Sequence, residues 1–136
     1  AIPVSGKRSV AGIAVAEGLV FVARRVEGGS MGGKWEFPGG KVEPGETDQA
    51  ALVREFLEEF SVPVRVGSLL ATSTFEHHGH AVALSAYEVF LPELEFTLSE
   101  HTEWKWVRLQ DVPFLDFADS DLKLLPALRT CGVEFR

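Results

Sequence analysis

Short apolar runs separated by turn residues dominate the first third of the chain. One run covers residues 9–16, and a second covers 19–23 before two arginines. Two such runs around the pair Glu17-Gly18 predict a β-hairpin. After a glycine-rich loop over 27–33, residues 35–37 predict a brief extended segment, which a Pro38-Gly39-Gly40 turn closes.

Residues 47–60 carry the strongest helical pattern. Apolar residues recur at i, i+3, i+4 and i+7, namely Val53, Phe56, Leu57 and Phe60. This spacing predicts one apolar stripe facing the core. Thr47 is a predicted N-cap, and Asp48 in the first turn favours the helix dipole.

The second half of the chain is rich in predicted strands. They cover 64–75, 81–91 and 103–108, and a polar turn over 77–80 predicts that the first two form a hairpin. Residues 119–128 predict a short terminal helix that Pro126 kinks or shortens. One central helix, one terminal helix and many strands indicate an α/β fold, in which a mixed β-sheet packs between helices.

Composition narrows the class of protein. The 136 residues fit a single domain over 1–136, and no apolar run approaches the roughly 18 residues of a membrane span. The lone cysteine, Cys131, forms no internal disulfide, which suits a reducing compartment. We therefore expect a cytoplasmic protein with no membrane partner.

Charge argues against a nucleic-acid partner. The formal net charge is −7, and the 13 Lys and Arg residues are scattered along the chain. A broad basic face is therefore not expected, and a polyanionic ligand would need a local site or metal ions that cancel charge. Between 43 and 59 Arg54 opposes six acids, which are Glu43, Glu46, Asp48, Glu55, Glu58 and Glu59.

Three of these acids share one side of the predicted helix. Glu55, Glu58 and Glu59 stand at i, i+3 and i+4, nearly opposite the apolar stripe. The pattern by itself allows either a solvated acidic face or a site for Mg²⁺, which prefers oxygen ligands.

The spacing around these acids favours the metal site. Gly40 is followed by Glu46 and then by Arg54-Glu55-Phe56-Leu57-Glu58-Glu59, and the pattern ends at Val62. Residues 40–62 resemble the signature of the Nudix hydrolases, and residues 34–43 resemble its MutT-type branch. Ser61 stands where the family has glycine, which leaves the helix end in question because glycine normally supplies a left-handed cap.

The resemblance implies a Nudix fold of the α/β/α type and a set of residue roles. Two or three Mg²⁺ or Mn²⁺ ions would be held by Glu55, Glu58, Glu59 and the Gly39 carbonyl. Arg54 would orient the glutamates, Glu46 would support them, and Gly40 would let the backbone approach phosphate. In this branch a distal-loop acid serves as base or extra ligand, for which Glu100 is the first candidate and Glu103 the second.

Substrate contacts are less specific. Arg25 matches an arginine that meets the nucleotide in MutT-like proteins, but is otherwise a strand end. Phe37 is either a base-stacking or a core aromatic. Asp119 is a base-reading residue, a helix N-cap or both. His77 and His78 are candidate residues of the substrate cleft, and the alternative, a metal site at the hairpin turn, has little support.

The resemblance implies Mg²⁺-dependent hydrolysis of nucleoside triphosphates by a metal-activated water, giving a nucleoside monophosphate and pyrophosphate. Oxidised purine nucleotides such as 8-oxo-dGTP, whose removal belongs to DNA repair, are candidate substrates. Nucleotide sugars, dinucleotides and RNA 5′ ends are alternatives. A non-catalytic nucleotide sensor should have lost one of the acids, and all three are present. The sequence leaves open whether the protein is a monomer or a homodimer.

Overall fold

The computed structural model describes residues 4–28, 32–92 and 95–133, so part of the predicted glycine-rich loop, 29–31, lies outside the described residues. Within those ranges the strands are β1 (Val4–Ala16), β2 (Leu19–Arg25), β3 (Trp35–Glu36), β4 (Gly39–Lys41), β5 (Arg65–His77), β6 (His80–Phe90) and β7 (His101–Val107). The helices are α1 (Asp48–Phe60), a 3₁₀ helix (Leu109–Phe114), α2 (Asp119–Leu122) and α3 (Leu125–Leu128).

The described strands form one mixed sheet in the order β3-β2-β1-β6-β5, in which β4 also pairs with β1 and β7 with β2. The β1–β6 pair is parallel and the other pairs are antiparallel. Both predicted hairpins are confirmed. Their turns place Glu17 and Gly18, and His78 and Gly79, at positive φ, as a two-residue hairpin turn requires.

The predicted turn at Gly39-Gly40 is wrong, because these residues form β4, which pairs with the middle of β1. A Cβ on Gly39 would lie 2.0 Å from the carbonyl oxygen of Val10. Glycine at this position therefore lets β4 approach β1 closely, and it brings the start of the signature to the centre of the sheet.

Helices cover both faces of the sheet, which confirms the predicted α/β/α arrangement. One core cluster joins the sheet to α2 through Leu122 and to α3 through Leu125 and Leu128. The other joins it to α1 through Leu52, Phe56 and Phe60. Gly12 makes room for α1, because a Cβ there would lie 2.5 Å from the ring of Phe56.

The ends of α1 follow the sequence closely. The hydroxyl of Thr47 accepts a hydrogen bond from the Ala50 N–H at 3.1 Å, which confirms the predicted N-cap. Asp48 pairs with Arg8 on β1 and accepts a 2.7 Å hydrogen bond from the Tyr87 hydroxyl on β6. At the other end Ser61 adopts the left-handed conformation, with φ 56° and ψ 36°, although it is not glycine.

The predicted apolar stripe of α1 is only half right. Phe56 and Phe60 are buried, but Val53 and Leu57 are exposed, Leu57 at 55%. The buried sector instead includes Leu52 and Glu59, so the helix is turned by roughly a quarter of a turn toward its acidic side. The three glutamates therefore do not share one solvated face.

The helix predicted over 119–128 is divided in the structure, where a turn at Lys123 and Leu124 separates α2 from α3. Pro126 lies in the first turn of α3, where its missing N–H breaks no helical hydrogen bond. Among the described residues, no helix has the length and apolar character that a membrane span requires.

Candidate active site

The three glutamates of α1 lie in different environments. Glu58 is 57% exposed, Glu55 is partly buried, and Glu59 is 1% exposed. Burial raises the pKa of Glu55 even though Arg54 lies beside it. Because the helix is rotated toward its acidic side, the three glutamates range from exposed to fully buried. The site therefore extends from the surface into the protein.

Glu59 has the most unusual environment of the described acids. Both of its carboxylate oxygens are buried without a hydrogen-bond partner. Burial, together with the charges of Glu36, Glu55 and Glu100, raises its pKa to about 10, and the charge of Arg25 partly opposes this shift. A buried carboxylate without a partner is strongly disfavoured, and a bound cation is the ordinary way to satisfy one.

Glu36 and His101 lie next to Glu59. The His101 Nε2 is 2.8 Å from Glu36 Oε2, and the Arg25 guanidinium is 3.4 Å from the same oxygen. The imidazole stacks on the ring of Phe60 with centroids 4.9 Å apart, and its Nδ1 is buried without a partner. Glu36, Glu59 and His101 each offer a ligand atom within 4.8 Å of the others.

Arg54 connects the signature loop to the helix. Its guanidinium donates to both carboxylate oxygens of Glu46, at 2.8 and 2.9 Å, and to Glu55 at 2.8 Å. It also donates to the Lys41 carbonyl at 2.9 Å and to Glu58 at 3.4 Å. The hydrogen bond from Arg54 lowers the pKa of Glu46 to about 2, so Glu46 is ionised at neutral pH.

Gly40 makes room for a carboxylate. A Cβ on Gly40 would lie 2.6 Å from the carboxyl carbon and one carboxyl oxygen of Glu55. The side chain of Glu55 therefore occupies the space that any other residue at position 40 would fill. The roles predicted for the Gly39 carbonyl and for Gly40 in binding metal and phosphate stay predictions.

Glu100 belongs to this group of acids, because its charge raises the pKa of both Glu55 and Glu59. It lies just before β7 and is exposed. Glu103, the second candidate for the distal acid, instead pairs with Arg24 at 3.4 Å on the outer strands. The electrostatic interactions with Glu55 and Glu59 therefore favour Glu100.

The candidate substrate residues are dispersed. Arg25 lies at the acidic cluster through Glu36. Phe37 is 2% exposed and packs on Phe117 with centroids 5.0 Å apart, so its ring is a core aromatic and offers no stacking surface. His77 and His78 lie exposed at the tip of the β5–β6 hairpin with ring centroids 4.1 Å apart.

Asp119 is exposed and is the first residue of α2, whose N-cap is Ala118, so the predicted capping role is wrong. Two residues on, Asp121 is 7% exposed and accepts a 2.9 Å hydrogen bond from the Phe37 N–H. Burial raises the pKa of Asp121 to about 8, with a further contribution from the charge of Glu36.

Glu36, His101 and Asp121 were therefore not predicted from the sequence. Glu36 stands within the segment that resembles the MutT-type branch, and His101 directly follows the predicted distal acid. These sequence neighbours could have indicated Glu36 and His101 as site residues. Nothing local indicated Asp121, because its environment depends on packing of α2 against the segment after β3.

The donor set fits a divalent cation. Glu36, Glu59 and His101 offer two carboxylates and one imidazole within 4.8 Å of one another, and the oxygens of Glu59 lack other partners. The charges of Glu55 and Glu100 also act on Glu59. Oxygen ligands of this type suit Mg²⁺ or Mn²⁺. When bound, such ions cancel phosphate charge and make water at the site more acidic.

Comparison with known proteins agrees with this geometry. The sequence model of the NUDIX domain matches residues 6–128. The chain is 36% identical over 120 residues to a CTP pyrophosphohydrolase of Escherichia coli K12, covering 87% of each chain. It is also 36% identical over 119 residues to a putative 8-oxo-dGTP diphosphatase 2 of Mycobacterium tuberculosis H37Rv, covering 82% of this chain and 80% of that one.

A solved structure shows the same fold. The crystal structure of the MutT protein from Methanosarcina mazei Go1 aligns with a TM-score of 0.80 at 26% identity, covering 90% of this chain and 92% of that one. Sequence family, relatives and fold thus agree with the acidic site built around α1. The chain belongs to the Nudix family and is a MutT-like hydrolase that acts on phosphoric anhydride bonds.

Proposed function

We propose that this protein is a Mg²⁺- or Mn²⁺-dependent pyrophosphohydrolase that converts nucleoside triphosphates to nucleoside monophosphates and pyrophosphate. The observation that carries the proposal is the unpartnered, buried carboxylate of Glu59, which lies among Glu36, Glu55 and Glu100. A protein of net charge −7 binds a triphosphate at such a place only when cations neutralise both partners.

The residues around Glu59 have different roles in such a site. Arg54 holds Glu55 and Glu58 by charge-assisted hydrogen bonds, which keeps two acids oriented without a metal present. Glu100 is exposed beside the buried acids, where it can bind a further ion or accept a proton from water. Arg25 supplies positive charge at the edge of the cluster.

The relatives support triphosphates as the substrate class, since one is named for CTP and another for 8-oxo-dGTP. Base recognition is assigned to the segment around α2. Asp121 is a second candidate beside Asp119, because its carboxyl accepts a hydrogen bond from the Phe37 N–H and burial raises its pKa to about 8. A protonated carboxyl can donate a hydrogen bond to a base while its other oxygen accepts from the backbone.

The first test is a substrate panel assayed with Mg²⁺ and with Mn²⁺. It contains the natural dNTPs and NTPs, 8-oxo-dGTP, ADP-ribose, a nucleotide sugar and a 5′-triphosphate RNA, and it measures phosphate and pyrophosphate separately. We expect release of pyrophosphate from a triphosphate, with one base preferred in kcat/KM by at least about tenfold. Turnover restricted to ADP-ribose, the sugar or the RNA would contradict the triphosphate proposal. No turnover at all would favour a nucleotide sensor.

The variant Asp121→Asn tests the role of Asp121 in two ways, of which the first is the dependence of stability on pH. The folded-state pKa of Asp121 is about 8 and its ordinary value is 3.8, so the unfolded chain releases this proton first as pH rises. The folded state therefore loses stability between about pH 4 and pH 8, and Asn, which cannot ionise, should gain at least about 1 kcal/mol relative to wild type at pH 8. The gain should be absent at pH 4 in urea unfolding.

The same variant should change the ratio of kcat/KM between bases by about tenfold or more, because Asn presents a different donor and acceptor pattern. Asp119→Asn is the matched control, since it makes the same substitution two residues away on an exposed side chain. A change of base preference in Asp119→Asn alone would assign recognition to Asp119 instead.

A further inference from the structure

The last turn of α1 is capped by the loop that carries Glu100. The final four carbonyls of a helix have no partner within it. In α1 the first of these, at Leu57, accepts from the Ser61 N–H at 3.0 Å. The next three accept from the loop: Glu58 from the Ser99 hydroxyl at 2.7 Å, Glu59 from the Ser99 N–H at 3.3 Å, and Phe60 from the Thr97 N–H at 3.1 Å.

These bonds act on the residues that matter for the site. Two of the three carbonyls that the loop caps belong to Glu58 and Glu59, whose side chains are two of the predicted metal ligands. Ser99 alone satisfies both of those carbonyls, one through its hydroxyl and one through its amide. The residue that immediately follows is Glu100.

The loop is also fixed on the other side of Glu100. The carbonyl of Glu100 accepts a 3.1 Å hydrogen bond from the N–H of Val26, the residue that follows β2. The next residue, His101, begins β7, and its buried ring packs between Phe60 and Glu36. The backbone of Glu100 is thus held one residue before and one residue after, while its side chain stays exposed beside Glu55 and Glu59.

We propose that Ser99 is a positioning residue of the hydrolase, and that its hydroxyl bond to the Glu58 carbonyl sets the distance between Glu100 and the glutamates of α1. The inference rests on the proposed function, because it assumes that Glu100 acts on the bound ions or on water. In this arrangement Glu100, the exposed acid of the site, does not lie on a freely moving loop. Its place is set by the end of the helix that carries the other acids.

The test is a double-mutant cycle on Ser99→Ala and Glu100→Gln, with two readouts. Steady-state kinetics on the preferred triphosphate gives kcat and KM, and Mn²⁺ binding to the nucleotide-free protein is followed by electron paramagnetic resonance. We expect Ser99→Ala to lower kcat about tenfold with KM within about twofold of wild type, since small misplacements of a catalytic group are costly. Mn²⁺ affinity should fall by about threefold or more.

In the Glu100→Gln background, Ser99→Ala should have no further effect beyond about twofold on either readout, because the acid that it positions is already lost. Ser99→Thr keeps the hydroxyl and should recover most of the lost kcat. Thr130→Ala is the control, since it removes a hydroxyl that donates to the Ala127 carbonyl at 3.4 Å far along the chain from the site. That variant should match wild type.

Equal losses from Ser99→Ala in both backgrounds, or no loss in either, would overturn the proposal. If the wild-type protein binds Mn²⁺ but hydrolyses no triphosphate, the proposed function fails while the Mn²⁺ cycle still decides the role of Ser99. If wild type binds no Mn²⁺, both proposals fail together.

Discussion

Glu59→Gln is expected to lower kcat/KM for the preferred triphosphate by at least about a hundredfold and, in the same protein without metal, to raise the stability of the fold. The two effects have one cause. The carboxylate of Glu59 is 1% exposed and has no hydrogen-bond partner among the described residues. It costs the metal-free fold stability and contributes a ligand when a cation is bound. Glutamine cannot ionise and keeps the shape.

The direction of the pH dependence follows from the pKa. The folded-state pKa of Glu59 is about 10 and its ordinary value is 4.5, so between these values the folded protein binds a proton that the unfolded chain has released. Stability of the metal-free wild type therefore falls as pH rises across this window. At pH 7 the free energy of unfolding of the metal-free wild type is therefore, through Glu59 alone, roughly 3 kcal/mol lower than it is below pH 4.5, because one pKa unit corresponds to about 1.4 kcal/mol.

Thermal unfolding in EDTA at pH 5 and pH 8 measures this effect. The advantage of Glu59→Gln over wild type should be small at pH 5 and larger at pH 8, and saturating Mn²⁺ should reverse the order. Glu58→Gln is the matched control for stability, since it changes the neighbouring glutamate of the same helix at a site that is 57% exposed. A metal-free Glu59→Gln protein less stable than wild type at pH 8 would contradict the account.

Arg54→Lys is expected to lower kcat/KM by about 10- to 100-fold although it preserves the charge. The Arg54 guanidinium binds both oxygens of Glu46, one oxygen of Glu55 and the Lys41 carbonyl at once. A lysine ammonium is a single point of charge and cannot span these acceptors. Glu55 would then lose the bond that orients it, and the loop before α1 would lose its attachment to the helix.

The loss of the bond between Arg54 and Glu46 should also change how the free energy of unfolding depends on pH in the acidic range. The pKa of Glu46 is held at about 2 against an ordinary 4.5, so the stabilisation from its bond with Arg54 is present above pH 4.5 and is lost as pH falls toward 2. In Arg54→Lys the acid-unfolding curve should be shallower in this window. Acid titration followed by circular dichroism measures it, together with the kinetic assay.

Arg108→Lys is the control for the geometry of the guanidinium. Arg108 also makes two hydrogen bonds to one carboxylate, that of Asp111, at 2.9 and 3.3 Å, but on the surface after β7. That pair is expected to contribute little. If Arg54→Lys kept wild-type kinetics, Arg54 would be a loop anchor without influence on the acids.

The local elements could be read from the sequence because their signals are short-range. Thr47 caps α1 through a bond to a residue three positions away, and both hairpins depend on two adjacent turn residues. The element at Gly39-Gly40 could not be read in this way. Glycine pairs favour turns, and only contact with β1, where a Cβ at position 39 would strike the Val10 carbonyl, explains why a strand uses them.

The face of α1 that becomes buried was misjudged for a related reason. Apolar periodicity placed Val53 and Leu57 inside, but the neighbours of a helix decide which sector is covered. Here the loop over 95–100 packs along the end of α1 and β4 lies beside its acids, so Glu59 is enclosed and Leu57 is left exposed. A hydrophobic pattern contains no information about such a partner.

By itself the sequence determined the acidic residues of α1, the arginine among them and the family to which the chain belongs. The reason is that all the residues of the signature lie within 40–62. Only the tertiary structure decided that Glu59 is buried without a partner, that Glu36 and His101 join it, and that Asp121 meets the Phe37 N–H. These residues come from distant parts of the chain. The strand order and the packing of helices on both faces of the sheet bring them together, and burial and pKa arise only from that assembly.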